Sequence, residues 1–316
     1  MVLIFLRRVG EVERGVTGRS CYPIFILASL ILLSLYRPLH ADTYRDDLGR
    51  EVTLDAAPKR IVSLGPNITE ILFAIGLDKE IVGVTLFSDY PEGVKGKTVV
   101  GSYVNVNLER LISLSPDLVI STSDGNPKGS IERLLSMGIP VFVIAPPRNI
   151  GDIISAIRSV GRITGREGEA KKLVDEMEVR IGEVVAWLEG ATARPVFYQL
   201  GDNPLMTVGG GTFIDTLITM AAGRNIAGDV SLPYPRFSME GVVSNAPEVI
   251  VISSMAEREV SKAALKKWGQ WEEIPAVRSG EIHFINPDLI HRAGPRIVDG
   301  LDELARMIHP ERFARD

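Results

Sequence analysis

Residues 107–120 read NLERLISLSPDLVI, and residues 238–251 read SMEGVVSNAPEVIV. At one constant offset Glu109 matches Glu240, Leu111 matches Val242, Ser113 matches Ser244, Pro116 matches Pro247 and Asp117 matches Glu248. Each stretch has the pattern of a short amphipathic helix, a proline-marked turn and an apolar β-branched strand. The copies lie too far apart for a solenoid, whose periods run about 20–50 residues. Two related α/β lobes account for the repetition, and the cleft of a two-lobed protein is where a ligand binds.

Outward from the first copy the pattern alternates. A hairpin is expected over 45–54, strands over 60–64, 81–85 and 140–144, and helices over 68–75 and 130–136. Gly76 and Gly138 stand where a helix end needs a left-handed residue. Such alternation implies a mostly parallel sheet with right-handed crossovers. From 150 to about 189 the strand signal stops. A helix over 150–163 is followed by a second over 167–188, with Leu173, Met177, Ile181, Val184 and Leu188 in one apolar stripe. About 22 residues at 1.5 Å each give roughly 33 Å, enough for a rigid connector between lobes. The alternation resumes with a strand over 196–200, helices over 212–222 and 263–268, a strand over 281–285 and a helix over 294–308. The expected fold is therefore α/β: two Rossmann-like lobes with parallel sheets, joined by one long helix, with the cleft between them. The expected boundaries are 42–164, 165–190 and 191–316.

The 316 residues suit roughly two domains. A net charge of −5 leaves no basic footprint for nucleic acid. Residues 22–36 form an apolar run after Arg14 and Arg19, shorter than the roughly 20 residues of a membrane-spanning helix. With Leu39-His40-Ala41 behind it, residues 1–41 read as an export signal, the alternative being an uncleaved anchor. Cys21 is the only cysteine and precedes that run, which disfavours lipid attachment. The exported chain would hold no disulfide, thiolate metal site or thiol nucleophile.

A catalytic set is not apparent. The histidines are His40, His283, His291 and His309, and neither HExxH nor GxSxG occurs. Gly209-Gly210-Gly211 before a helix suggests a phosphate cradle, but no Walker lysine follows. The absence of a reaction motif points to a binding protein. Glu109 and Glu240 begin their helices, where a carboxylate is worth about 0.3–1 kcal/mol against the helix dipole. They also form two matching acidic points that suit basic points on a symmetric partner. Loops after strands, where open α/β sheets take ligands, hold Phe87, Tyr90 and Tyr103 in the first lobe. In the second they hold Leu200, Met206, Tyr234 and residues 288–292.

The segments RIVSLGPNITEILFAIG, SDYP, NLERLISLSPDLVI, LPYPRFSMEGVV and DLIHRAGPRIV together resemble the periplasmic substrate-binding proteins of the helical-backbone class, over roughly residues 46–308. That class serves ABC importers of cobalamin, haem and iron–siderophore complexes. SDYP, YxxxNLER, PYP and HRAGPR resemble its cobalamin-binding members most. The resemblance implies that Glu109 and Glu240 dock on arginines of a permease dimer, and that Phe87, Tyr103, Tyr234, Asp288 and Arg292 contact cobalamin. Leu200 and Met206 fall at apolar pocket positions, and Thr122 stands where a tryptophan is found in the family, so this pocket is less aromatic. His291 keeps haem open as the ligand, and Arg236 with Arg292 is a sparse basic set for an anionic siderophore. The expectation is an exported, monomeric carrier of a corrinoid, with no catalytic cofactor and no metal site. The rivals are a haem or ferric-siderophore receptor, and a hydrolase or metal-dependent enzyme using the same cleft. The connector predicts little closure on binding.

Overall fold

The computed structural model describes residues 41–253 and 258–313. The export-signal reading of residues 1–41 lies, apart from Ala41, outside the described residues. Among these no helix is long and apolar enough to cross a membrane.

Strands β1 (Asp42–Arg45) and β2 (Glu51–Leu54) form the expected antiparallel hairpin. The buried Asp46 carboxylate builds its turn, accepting from the backbone N–H groups of Leu48 and Arg50 and from the Arg50 guanidinium. Five parallel strands follow: β3 (Ile61–Ser63), β4 (Ile81–Val84), β5 (Thr98–Val99), β6 (Leu118–Thr122) and β7 (Val141–Ile144), in the order β5-β4-β3-β6-β7. Their crossovers include α1 (Pro66–Ala74), α2 (Leu108–Ser113) and α3 (Lys128–Ser136).

Next come α4 (Ile150–Ile163) and α5 (Glu167–Trp187). Asn149 caps α4 by accepting from Asp152 N–H (3.1 Å), and Gly165, at φ +69°, lets the chain turn into α5. A side chain at Gly161 would strike Ala170, so that glycine allows the two helices to touch. The 21 residues of α5 span about 32 Å. Its buried stripe is Ala170, Val174, Met177 and Val184. Leu173 and Ile181 are half-buried at its edge: the 3.6-residue period centres the stripe one position past Leu173.

The second sheet holds β8 (Arg194–Gln199), β11 (Gly223–Asn225), β12 (Val249–Ser253) and β13 (Ile282–Ile285), all parallel, in the order β11-β8-β12-β13. Between β8 and β11 lie the small hairpin β9 (Gly201–Asp202) and β10 (Leu205–Met206) and helix α6 (Phe213–Met220). Helices α7 (Met239–Asn245), α8 (Arg258–Trp268), α9 (Pro275–Ser279), α10 (Pro287–Ile290), α11 (Ile297–Ile308) and α12 (Pro310–Phe313) complete the described chain. The β9–β10 hairpin, β11, α9 and α10 are too short for periodicity to reveal.

The twin segments occupy equivalent places. Strands β6 and β12 begin at matched residues, Leu118 and Val249, and each pairs with the first strand of its sheet. Without β5, the first sheet has the same strand order as the second. Both copies leave their helix through a left-handed non-glycine residue, Ser115 (φ 44°) and Ala246 (φ 45°), immediately before the matched prolines. One apolar cluster runs through both lobes, from Ile61 and Leu118 through Ile157, Val174 and Met177 to Val196, Val249 and Leu301. Helix α11 packs on α5, with an Arg180–Asp299 ion pair (2.7 Å) at the contact.

Candidate ligand cleft

The carboxyl ends of both sheets open onto a cleft of about 770 Å³. One wall comes from the first lobe: Pro66, Asn67, Phe87, Ser102, Tyr103, Val104, Thr122, Asp124, Ala145, Pro146 and Pro147. The other comes from the second: Leu200, Met206, Phe213, Ile214, Tyr234, Ile290, His291, Arg292 and Ala293. Thr122 ends β6, Ala145 follows β7 and Leu200 follows β8, the expected position for a ligand site in open α/β sheets.

Of the residues singled out from sequence, Phe87, Tyr103, Thr122, Leu200, Met206, Tyr234, His291 and Arg292 are brought to this lining. Tyr90 and Asp288 are not among the lining residues. The Arg296 guanidinium lies 3.9 Å from the centre of the Tyr90 ring, and Asp288 pairs with Arg292 (2.9 Å).

The mouth is apolar on both sides. Phe87 is 58% exposed and Tyr234 55%, with Leu86, Val104 and Leu232 exposed nearby. Exposed groups of this size gathered at a cleft mark a binding surface. Tyr234 stands on a stiff support. Thr207 N–H donates to Pro235 O (3.1 Å) and Gly209 N–H to Pro233 O (2.9 Å), so both prolines serve only as acceptors and their lack of an N–H costs nothing. The three glycines belong to the same support. A side chain at Gly209 or Gly210 would strike the carbonyls of Leu232 or Gly228. Asp215 accepts from Gly211 N–H (2.9 Å), filling the anion position at the start of α6, so this is backbone packing and not a phosphate cradle.

Tyr103 is held from several directions. Its hydroxyl donates to Asp124 Oδ1, and Thr122 Oγ1 donates to Tyr103 Oη (2.8 Å). Buried Asn126 donates to the Tyr103 and Leu64 carbonyls and accepts from Thr122 N–H. The ring lies against Gly125, where a β-carbon would sit 1.6 Å from Cε1. Burial, then Asp124, raises the Tyr103 pKa, so the phenol stays protonated. A buried hydroxyl chain, Ser63–Thr69–Ser88–Thr85, fixes the loop that presents Phe87. In the sequence the run Asp124-Gly125-Asn126 carries no signal beyond a turn-forming composition after β6.

Behind the lining the lobes are joined by charge. Glu70 of α1 is 2% exposed at its side chain and accepts a two-pronged bond from Arg296 (Nε to Oε2, 2.8 Å). Arg292 bonds Asp89 and Asp288 and lies 3.6 Å from Glu70. The hydrogen bond from Arg292 holds the Asp89 pKa below the usual carboxylate range, against a smaller opposing effect of burial. Burial opposes charge on Arg292, but Asp89 and Asp288 more than offset it. His291 Nε2 lies 3.1 Å from Tyr198 Oη and 3.2 Å from Ser253 Oγ. Burial lowers its pKa and Asp288 partly restores it, leaving a neutral imidazole at neutral pH.

Glu109 and Glu240 are exposed in the first turns of α2 and α7. The caps are other residues: Asn107 accepts from Arg110 N–H (2.9 Å) and Ser238 from Gly241 N–H (3.0 Å). Neither glutamate forms an ion pair among the described residues.

Two parallel-sheet lobes, one long helix between them and an open cleft at the strand ends define a two-lobed α/β binding protein. The chain belongs to the periplasmic binding protein family, whose pattern matches residues 61–289. An ABC transporter substrate-binding lipoprotein of Bacillus subtilis is 32% identical over 277 residues, 86% of either chain. A vitamin B12-binding protein of Photorhabdus laumondii is 31% identical, covering 81% of this chain and 90% of its own. Among solved structures, the periplasmic vitamin B12-binding protein of Vibrio cholerae matches with TM-score 0.71 at 27% identity, covering 80% of this chain and 98% of that one. A periplasmic haem-binding protein from Roseiflexus sp. RS-1 matches with TM-score 0.72 at 26% identity, covering 80% and 99%.

Proposed function

We propose that this chain captures cobalamin or a related corrinoid and delivers it to an inner-membrane ABC importer. The observation that carries the reading is the two-sided apolar mouth, Phe87 on one lobe and Tyr234 on the other, above a cleft of about 770 Å³. A corrin is large, flat and partly apolar, so such walls bury its faces while Tyr103, Thr122, His291 and Arg292 meet its polar edge. Relatives named for vitamin B12 binding support the choice. Haem is the second reading, favoured by His291 in the lining, although its Nε2 is engaged by Tyr198 and Ser253. Titration of the purified protein with cyanocobalamin, haemin and a ferric siderophore, followed through each ligand's visible spectrum, tests both. Tight binding of cyanocobalamin without turnover is expected, and preference for haemin or the siderophore refutes the reading.

Glu109 and Glu240 are taken as the docking points for arginines of the permease dimer. Replacing both with alanine should abolish uptake by cells while leaving ligand affinity unchanged, and a loss of affinity would assign them to the pocket instead. Residues 1–41 are taken as the export signal, a membrane tether if uncleaved, and the exported chain as a monomer that carries its ligand unchanged. Its lobes are taken as 42–164 and 191–316, joined through 165–190.

A further inference from the structure

The donors and charges around the cleft are distributed unevenly. Tyr103 has one hydroxyl hydrogen and spends it on Asp124 Oδ1, and Thr122 spends its own on Tyr103. The second oxygen of Asp124, an exposed lining residue, has no hydrogen-bond partner among the described residues. Arg292, the guanidinium of the lining, is matched by Asp89 and Asp288 with Glu70 close by. Arg296 is matched by Glu70. The lining itself thus holds one carboxylate, Asp124, and one guanidinium, Arg292, and that guanidinium is already matched from behind by Asp89 and Asp288. The arginines of the adjoining loops, Arg148 and Arg236, are exposed and, like Glu70, Asp89 and Asp288, are not lining residues. Asp124 is exposed as well, so its effect on a ligand is one that salt weakens.

We propose that this cleft selects against ligands presenting carboxylates, and that Asp124 is the specificity-determining residue, meeting an amide N–H or a cationic edge. The inference deepens the corrinoid reading and rests on it, since a corrin's amide side chains supply such donors whereas haem and many siderophores carry anionic groups.

The test compares cyanocobalamin with its monocarboxylic acid derivatives, in which one side-chain amide has become a carboxylate. Measurements use the wild-type protein and Asp124→Asn. Asparagine keeps the shape and an acceptor for the Tyr103 hydroxyl, and thermal melting verifies the fold. The wild type should prefer the amide form about 10-fold, the order expected of one hydrogen bond to a charged group. In Asp124→Asn that ratio should fall to about 2-fold, mainly through gain for the acid. A purely structural role for Asp124 would weaken both ligands equally, and that result overturns the proposal. So does a wild type that binds the acid as tightly as the amide. If the wild type binds neither corrinoid, the corrinoid reading itself is lost. The charge inference then stands if haem dimethyl ester binds tighter than haemin, and falls if haemin binds tighter.

Discussion

Glu70→Ala removes the hub of the charge cluster that ties the lobes together. The carboxylate is 2% exposed, accepts two bonds from Arg296 and lies 3.6 Å from Arg292. After truncation two guanidiniums remain largely out of water, and Asp89 and Asp288, which pair directly with Arg292, act on Arg296 only from a distance. Breaking a buried pair from one side costs about 3–5 kcal/mol, mostly the penalty of the stranded charge. For a chain of this size each kcal/mol shifts Tm by about 2–4 °C, so a drop of about 6–20 °C is expected. Circular dichroism melts at neutral pH measure it. The control is Glu92→Gln, which breaks an exposed pair with Lys95 (86% and 75% exposed) worth less than about 1 kcal/mol. The double variant Glu70→Leu with Arg296→Met should recover much of the loss, because apolar groups of similar volume replace a buried pair at little cost. A Glu70→Ala drop no larger than the control's would refute the assignment of this cluster as the joint between the lobes.

Two further outcomes follow from the cleft. Gly125→Ala puts a β-carbon where the Tyr103 ring lies and breaks its bonds to Asp124 and Thr122, so cyanocobalamin affinity measured by calorimetry should fall at least about 10-fold, and unchanged affinity would show that Tyr103 does not contact ligand. His291 has a folded-state pKa below its ordinary 6.5, so as pH falls through 6.5 the unfolded chain takes the proton first and the folded state loses stability until the lower folded value is passed. His291→Gln should therefore flatten the decline of Tm across that window, and an unaltered slope in melts between about pH 5 and 7.5 would place the proton-sensitive group elsewhere.

The long elements were legible because local chemistry and burial agree in them. Helix α4 begins at the Asn149 cap and ends before Gly165, and both signals are present in the residues themselves. The twin segments showed two lobes because the same helix, turn and strand serve the same place in each sheet. The charge cluster was not legible. Glu70 sits within the apolar run 68–75 and reads as one turn of a core helix, while its partners lie more than 220 residues away. For the same reason Tyr90 and Asp288 read as cleft residues. The loop of Tyr90 and helix α10 of Asp288 do border the cleft, but Arg296 and Arg292 hold their side chains beside the lining.

The same cluster bears on how the cleft works. Rotating one lobe against the other would have to part Glu70 from Arg296 and Asp89 from Arg292, and disturb the apolar cluster that passes through α4, α5 and α11. Packed interiors resist continuous deformation, so such a movement carries a cost of several kcal/mol, comparable with that of breaking a buried pair. A ligand would have to supply that from its own binding energy. A cleft formed in advance avoids the expense, and a ligand gains affinity when little must be ordered on binding. The choice of ligand then falls to what the walls present: exposed rings on braced loops for a flat apolar face, and Asp124 beside the already paired Arg292 for the polar edge. On this reasoning, substitutions at Phe87, Tyr234 or Asp124 should alter which ligand is held, whereas substitutions at Glu70 or Arg296 should alter how firmly the two walls are kept in register.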